Sequence, residues 1–300
     1  MRVLVTGATG VLGTSAVRAL LADGHEVSGL ARGVDKARTL EAIGVQPVRV
    51  RLFDVDALTH ALAGFEAVCN LATAIPVGLA AVRPGAWRVS DRLRTHGSRM
   101  VARAAEAAGV RRLVQESVSF LYADAGDEWI TESSSLAVTR ALEPATVAET
   151  NALSFAAASR EAVVLRFGNF VGDDAATRWW LDRARAGRPV GLGRPQDWAH
   201  MVHPEDAGAA VAAALHGPFG GIYNVGADPV RRETVLAVFS EIVKRPVAYL
   251  PRLALRMGGD RLEPLTRSHR ISSTKLHEMT GWKPAHPVLQ ADWVTSGASA

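Results

Sequence analysis

Three glycines at a fixed spacing lie close to the start of the chain, in Thr6-Gly7-Ala8-Thr9-Gly10-Val11-Leu12-Gly13. Residues 2–5 predict a short strand before them, and residues 11–21 have the periodicity of a helix. In such a turn Gly7 allows a tight bend, Gly10 leaves room for phosphates, and Gly13 lets the helix pack closely on the sheet. The helix N-terminus would then attract an anion. We predict that a dinucleotide pyrophosphate binds here, contacting Thr6, Gly7, Thr9, Gly10, Val11, Leu12 and Gly13.

The second predicted strand, residues 25–32, ends where this kind of fold meets the adenosine ribose. An acidic residue at that point would bind both ribose hydroxyls and favour NAD, whereas an arginine pairs with a 2′-phosphate and favours NADP. The chain offers Arg32 and no acid before Asp35. We therefore expect NADP(H) as the cofactor, with a solvated surface arginine as the competing interpretation.

Further cofactor contacts are predicted where later strands end. The third strand is expected at residues 48–53, opened by Pro47, so that Asp54 can accept a hydrogen bond from the adenine amino group. The fourth strand, residues 66–71, runs out toward the cofactor. The contacts predicted from these later segments are Asp54, Val55, Asn70, Leu71, Ala72, Phe167, Gly168 and Asn169.

Short apolar strands and helices alternate along the chain, which predicts an α/β fold with a doubly wound parallel sheet covered on both faces, as in Rossmann domains. We expect residues 1–172 to form the nucleotide-binding domain, joined by a strand near 221–226, and residues 173–300 to form mostly a small substrate lobe. Its tryptophans suit a flat guest, although each is as easily explained as core. The remaining predicted elements are strands at 110–119 and 162–167, helices at 94–108, 145–158, 205–215 and 233–243, a loop-rich stretch at 251–287, and a frayed end.

Composition excludes several classes of protein. With 48% hydrophobic and 21% charged residues, the chain is neither disordered nor rich in apolar runs long enough to span a membrane. No signal peptide is recognisable, so we expect a cytoplasmic protein. The net charge of +4 is dispersed, which argues against nucleic-acid binding. Cys69 is the sole cysteine, and the spacing of His200 and His203 near Glu205 and Asp206 is attributed to chance, so no metal site is predicted.

These landmarks make the chain similar to the extended short-chain dehydrogenase/reductases, the NAD-dependent epimerase/dehydratase group, over nearly its whole length. The resemblance rests on the glycine-rich turn and on Asp54, Asn70-Leu71-Ala72, Tyr122, Leu165-Arg166, Asn169, Gly172, His203, Asp206 and Tyr223-Asn224-Val225-Gly226. It implies a Rossmann cofactor domain with a small C-terminal substrate lobe. It also implies an active site in which a tyrosine exchanges a proton with the substrate oxygen. A lysine four residues later lowers the pKa of that tyrosine, and a serine or threonine holds the oxygen.

The resemblance breaks at these catalytic residues. The sequence has no Tyr-x-x-x-Lys, and no tyrosine or lysine lies between residues 123 and 160. With Glu149 as the anchor of the helix, the two positions fall at Ala141 and Ala145, and the serine or threonine position is Val118. The resemblance therefore implies an atypical member of the family. The candidates for its catalytic groups are Ser119 as a hydrogen-bonding group, Arg94 as a partner of a carbonyl or phenolate, and His200 as an acid–base group.

Three functions are compatible with an intact nucleotide site beside a missing proton donor. The first is an NADPH-dependent ketoreductase acting on a bulky aromatic, polyketide-type substrate, with the proton supplied by a phenol next to the ketone or by water. The second is a quinone- or flavin-type NADPH reductase, and the third is a non-catalytic NADP(H)-binding sensor. We favour the first, with a small aromatic molecule as partner and the protein a monomer or a homodimer.

Overall fold

A computed structural model describes residues 1–295 of the chain. Its strands are β1 (Arg2–Thr6), β2 (Glu26–Leu30), β3 (Gln46–Val48), β4 (Ala67–Asn70), β5 (Arg112–Val118), β6 (Glu161–Phe167), β7 (Asn169–Phe170), β8 (Trp198–Ala199), β9 (Met201–Val202), β10 (Gly221–Val225) and β11 (Val230–Arg231). Its α-helices are α1 (Val11–Ala22), α2 (Val34–Glu41), α3 (Val55–Ala61), α4 (Arg88–Arg92), α5 (Ser98–Ala107), α6 (Glu143–Leu153), α7 (Ala175–Arg185), α8 (Pro204–Ala213), α9 (Arg232–Val243), α10 (Arg252–Met257), α11 (Gly259–Leu262), α12 (Thr274–Thr280) and α13 (Asp292–Thr295).

Seven strands form one parallel sheet in the order β10-β6-β5-β4-β1-β2-β3. The predicted α/β fold with a doubly wound parallel sheet is confirmed. The strand order reverses between β1 and β4, and in such sheets ligands bind at the carboxyl ends of the strands at this reversal. The glycine-rich turn follows β1, so it lies at that point.

The two faces of the sheet pack against different helices. Val3 and Val5 of β1 belong to the same apolar cluster as residues of α1 and α8, whereas Leu4 belongs to the cluster that includes residues of α3, α5 and α6. This alternation is the period of a strand covered on both faces. Within the described residues, no helix is long and apolar enough to cross a membrane.

Three predicted boundaries were misplaced. The strand expected at residues 48–53 ends at Val48, because the chain then turns, with the Asp54 N–H bonded to the Arg51 carbonyl. Pro47 lies inside β3, which it tolerates because β3 is the edge strand. The helix expected at 94–108 is instead a run from α4 to α5, joined by a π-helical turn at Leu93–Gly97. The helix expected at 145–158 is α6, which starts and ends earlier.

The remaining chain connects the sheet to the lobe more than once. The strand β10 pairs with β6, and α8 packs on α1 so closely that a Cβ on Gly208 would lie 2.4 Å from the carbonyl carbon of Ser15. The lobe has its own apolar cluster, which includes residues of α7 and α9 together with Leu289 and Trp293. The two regions are therefore not consecutive blocks of sequence. The frayed end expected beyond residue 295 lies outside the described residues.

Candidate functional site

The glycine-rich turn is held by contacts that only glycine allows. Gly7 has a φ of +70°, and a Cβ there would lie 2.7 Å from the Ala72 Cα atom. A Cβ on Gly13 would lie 2.0 Å from the carbonyl oxygen of Gly7. These two glycines are therefore required by the packing of the turn against β4 and α1, whatever the turn binds.

Gly10 differs from the other two because its surroundings are open. The nearest protein atom to a Cβ on Gly10 would be the Gly7 carbonyl oxygen at 3.3 Å, and Gly10 itself is exposed. It is the N-cap residue of α1, whose first turn has no capping side chain and no acidic residue. The first N–H groups of a twelve-residue helix thus face an open surface, which fits a dinucleotide pyrophosphate. Thr9 and Val11 border this surface, whereas the Leu12 side chain points into the core.

Two cations flank the turn. Arg32 follows β2, is exposed, and has no hydrogen bond or ion pair with the described residues. Lys36, in the first turn of α2, donates a hydrogen bond from Nζ to Thr9 Oγ1 at 2.9 Å. Lys36 was not among the predicted contacts, although its position four residues after Arg32, on the following helix, could have indicated it.

The predicted adenine and ribose contacts lie at the ends of their strands. The Asp54 carboxylate accepts a hydrogen bond from the Ala57 N–H at 3.1 Å and so caps α3, of which Val55 is the first residue. One oxygen of Asp54 is engaged in this cap, and the other is available to a ligand.

Asn70 is fixed by a row of side-chain hydrogen bonds across three strands. It accepts a hydrogen bond from Thr6 Oγ1 at 2.6 Å and donates one to Gln115 Oε1 at 2.7 Å. The row holds the end of β4, and with it Leu71 and Ala72, against the end of β1. Thr6 therefore acts through Asn70, since its own side chain is fully buried.

The segment after β6 lies against His200. Phe167 is buried, and a Cβ on Gly168 would lie 2.8 Å from the His200 carbonyl oxygen. The Asn169 N–H donates to that same carbonyl at 2.8 Å, and Asn169 is exposed. Of the three residues predicted to border the nicotinamide, Asn169 is the one with a side chain free to meet a ligand.

Ser119 and His200, 81 residues apart in sequence, are in contact, with Ser119 Oγ 3.0 Å from His200 Nδ1. The strand β5 ends at Val118 and Ser119 begins a 3₁₀ turn, so Ser119 faces His200 while Ser117 faces α6. Burial, with a smaller effect of His269, lowers the pKa of His200 to about 3. His200 was predicted to be an acid–base group, but with this pKa its ring is neutral near pH 7. His200 Nε2 is buried and has no partner among the described residues.

Arg94 lies in the π-helical turn and is buried. Its Nη2 donates to Glu116 Oε1 at 2.6 Å, and its Nε has no partner among the described residues. Single π-helical turns are frequent at functional sites because they turn one side chain out of helical register. Glu116, which was not among the predicted residues, balances the charge of Arg94 through this hydrogen bond.

The register of α6 is fixed by a buried ion pair. Glu149 accepts two hydrogen bonds from Arg166, from Nε at 2.8 Å and from Nη2 at 2.7 Å, and a third from Ser117 Oγ at 2.5 Å. With α6 anchored in this way, Ala145 is buried and Ala141 is half-buried just before the helix. Neither side chain can exchange a proton.

Tyr122 is not available as a proton donor in place of Ala141 and Ala145. It is fully buried and donates its hydroxyl hydrogen to Asn224 Oδ1 at 2.8 Å, and burial raises the pKa of its phenol. Its role is to join the end of β5 to β10.

Apolar side chains are exposed on the segments that follow β4 and β5. We give the name apolar rim to five of these side chains, Ile75, Leu79, Val82, Leu136 and Val138. Trp179 packs beside the rim, because a Cβ on Gly78 would lie 2.4 Å from its Nε1, and it meets Trp180 edge to face. Trp198 lies instead between the guanidinium groups of Arg231 and Arg270.

A parallel sheet with this turn at the β1/β4 reversal defines a dinucleotide-binding protein of the extended short-chain dehydrogenase/reductase fold. The chain belongs to the NAD dependent epimerase/dehydratase family, whose model matches residues 3–226. The family depends on a nicotinamide dinucleotide, and the open surface at Gly10 fits one.

Similar proteins include two reductases. The 3-diazoavenalumate denitrifying reductase of a Streptomyces species is 32% identical over 96% of this chain and 97% of the relative. The 2'-dehydrokanamycin reductase of Streptomyces kanamyceticus is 31% identical over 72% of this chain and 58% of the relative. Among solved structures, MoeE5 in complex with UDP-glucuronic acid and NAD has a TM-score of 0.77 at 23% identity, covering 99% of this chain and all of that one. The likeness to MoeE5 concerns the fold. The two reductases indicate that this chain is an oxidoreductase.

Proposed function

We propose that the protein is an NADPH-dependent reductase that transfers hydride to a bulky aromatic acceptor without a proton-donating tyrosine. The favoured reaction is the reduction of a ketone in a polyketide-type substrate. The observation that carries the proposal is the position of Ala141 and Ala145, with α6 held in register by Glu149 and Arg166. A reductase with this arrangement needs an acceptor that brings its own proton, takes one from water, or requires none.

The chain's own residues would hold the cofactor. The N–H groups at the start of α1 bind the pyrophosphate, Asp54 binds the adenine, and Arg32 with Lys36 binds a 2′-phosphate. Asn70, Ala72 and Asn169 border the ribose and nicotinamide. When bound, NADPH supplies the hydride.

The residues near the acceptor orient it and exclude water. Arg94 offers N–H groups to a carbonyl or phenolate oxygen while Glu116 balances its charge. The neutral His200 ring positions Ser119 and does not act as an acid near pH 7. A phenol beside the ketone can then protonate the alkoxide as it forms, because the two oxygens are already hydrogen-bonded in the substrate. The apolar rim and Trp179 suit an aromatic guest.

A second acceptor is favoured by the relative that is 32% identical over almost the whole chain and is named a denitrifying reductase. When an aromatic diazonium ion accepts a hydride at the ring carbon, a C–H bond forms, the C–N bond breaks and N₂ leaves. This reaction consumes no proton, so it also requires no tyrosine. An acceptor of this class is therefore compatible with the same site.

The test is NADPH oxidation by the purified full-length protein with matched acceptors. A polycyclic ketone carrying a neighbouring phenol should turn over. Its methyl ether, in which a methyl group replaces the acidic proton, should react about 100-fold more slowly, the typical contribution of a general acid. Equal rates for the pair would contradict the ketone proposal.

The other acceptors separate the alternatives. Conversion of an aryl diazonium ion to the arene with one N₂ per NADPH would establish the second reaction instead. General turnover of quinones would identify a quinone-type reductase. Tight NADPH binding with no turnover of any acceptor would leave a non-catalytic sensor and overturn the assignment as a reductase.

A further inference from the structure

Two histidines and an aspartate meet at the amino edge of the sheet, opposite the edge that carries the glycine-rich turn. Asp23 is the C-cap residue of α1, His25 precedes β2, and His216 follows α8. One nitrogen of each ring and one carboxylate oxygen lie within 4.8 Å of one another, and His216 Nε2 is 3.2 Å from Asp23 Oδ2. We call this group the amino-edge cluster.

The distances in the cluster suit a tetrahedral metal ion. Zinc binds histidine nitrogen at about 2.0–2.1 Å and carboxylate oxygen at a similar distance, so adjacent ligand atoms around it lie about 3.3 Å apart. The separation of His216 Nε2 and Asp23 Oδ2 already has this value. Two histidines and one carboxylate are a common ligand set for zinc, with water in the fourth position.

His25 carries a nitrogen that the protein leaves without a partner. Its Nδ1 lies 3.2 Å from the Met1 amino group, whereas its Nε2 is buried and has no hydrogen-bond partner among the described residues. A buried ring nitrogen without a partner is unfavourable, and coordination of a metal ion would satisfy it.

The surrounding backbone favours a cation. The cluster lies at the C-terminal ends of α1 and α8, where each helix carries the negative end of its dipole. A second group with suitable ligand types, His203, Glu205 and His286, lies at the N-terminal end of α8, where the dipole disfavours a cation. In that second group His203 Nδ1 accepts a hydrogen bond from the Glu205 N–H, and His286 Nδ1 contacts Asp206.

From this geometry we propose that Asp23, His25 and His216 bind a Zn²⁺ ion that links the turn between α1 and β2 to the segment after α8. Because these segments lie at the amino edge, the ion would act as a structural clamp between two packed helices, and hydride transfer at the opposite edge would not depend on it.

Zinc titration of the full-length, tag-free protein tests this proposal. Calorimetry should give one Zn²⁺ per chain, and zinc at about 100 times its Kd should raise the melting temperature by about 5 °C. His25→Gln, His216→Gln and Asp23→Asn should each weaken binding at least about tenfold, a typical loss for one ligand. His60→Gln, at an exposed histidine on α3 outside the cluster, is the matched control and should bind as the unchanged protein does.

Cobalt provides an independent readout. Co²⁺ bound to the unchanged protein should give the visible absorption of a tetrahedral or five-coordinate site, and His216→Gln should lose it. The proposal is overturned if His25→Gln and His216→Gln retain full zinc affinity, or if His286→Gln, in the second group, is the variant that abolishes binding. Neither measurement uses NADPH-dependent activity, so the zinc proposal can be tested even if the proposed reductase function is wrong.

Discussion

The carboxyl edge of the sheet has two halves, a nucleotide half after β1 and β2 and a β5 half after β5 and along α6, and they differ in which of the family's expected site residues are present. After β1 and β2 lie a glycine-rich turn with an open helix N-terminus and two cations, Arg32 and Lys36. After β5 and along α6, the Glu149–Arg166 pair is in place, and Ala141 and Ala145 stand at the positions predicted for the proton-transfer pair. The register of α6 is therefore held by a buried ion pair that involves neither Ala141 nor Ala145.

The largest effect is expected from removing the anchor of α6. Glu149→Ala would leave the buried Arg166 guanidinium without its carboxylate and should reduce the free energy of unfolding by about 3–5 kcal/mol. Glu106→Ala, which breaks a more exposed pair with Arg160, should cost less than about 1 kcal/mol. Urea unfolding of both variants measures the difference. Similar small losses for the two would mean that the helix is held by packing alone.

Acid should destabilise the β5 half through its buried histidines. Burial lowers the pKa of His200 to about 3 and that of His269 to about 4, below the usual 6.5. Above pH 6.5 both rings are neutral in the folded and in the unfolded chain. Below pH 6.5 the two histidines become protonated in the unfolded chain but stay neutral in the folded chain, so acid favours unfolding. Each histidine should therefore lower stability by about 2 kcal/mol between pH 7 and pH 5. Unfolding of His200→Asn over this range should show a shallower slope, and an unchanged slope would remove His200 as a cause.

The nucleotide half is tested most cleanly at Gly10. A Cβ there needs the Gly7 carbonyl to shift by only a few tenths of an ångström, so Gly10→Ala should fold normally. It would nevertheless intrude on the phosphates and should weaken NADPH binding about tenfold or more. Gly33→Ala, where a Cβ meets no protein atom within 4 Å, controls for the loss of glycine. Fluorescence titration measures the NADPH affinity of both variants, and thermal melting checks that they fold. If Gly10→Ala kept full affinity for NADPH, the cofactor would bind elsewhere.

The smallest predicted effect sharpens the choice of cofactor. Arg32→Ala should weaken NADPH by about tenfold, the value of a charge-assisted hydrogen bond to phosphate, and leave NADH nearly unchanged. Lys36→Ala should have a weaker effect of the same sign, because its ammonium group is already bound to Thr9. Competition between the two nucleotides measures the ratio. Equal losses for NADPH and NADH would remove the case for NADP.

The parts of the fold and of the candidate site that could be predicted are those formed by residues close together in the sequence. The turn from Gly7 to Gly13 and the cation at Arg32 are such local features, and their spacing was enough to predict a nucleotide site. The alternation of strands and helices is equally local and was enough for the parallel sheet. The end of β3 was misplaced because residues 49–53 look apolar enough for a strand, while tertiary pairing stops at Val48.

Features that depend on distant contacts were out of reach. The neutral state of His200 follows from burial beside Ser119, 81 residues earlier. The π-helical turn at Arg94 left no periodicity that a single sequence reveals. In the amino-edge cluster, only the packing of α1 on α8 brings His216 to Asp23 and His25, so the sequence spacing could not indicate it.

The strand β10 comes late in the sequence, and this order affects how the chain folds during its synthesis. It pairs with β6, a seven-residue strand that is almost wholly buried, and its residues are synthesised only after α7 and α8 are complete. Until then β6, whose side chains are mostly apolar, has a free edge of unpaired backbone N–H and C=O groups, which can pair with other chains. A nascent chain that ends at Gly172 therefore exposes the free edge of β6. Chaperone binding, or rapid synthesis of the next fifty or so residues, would protect this edge from aggregation until β10 pairs with it.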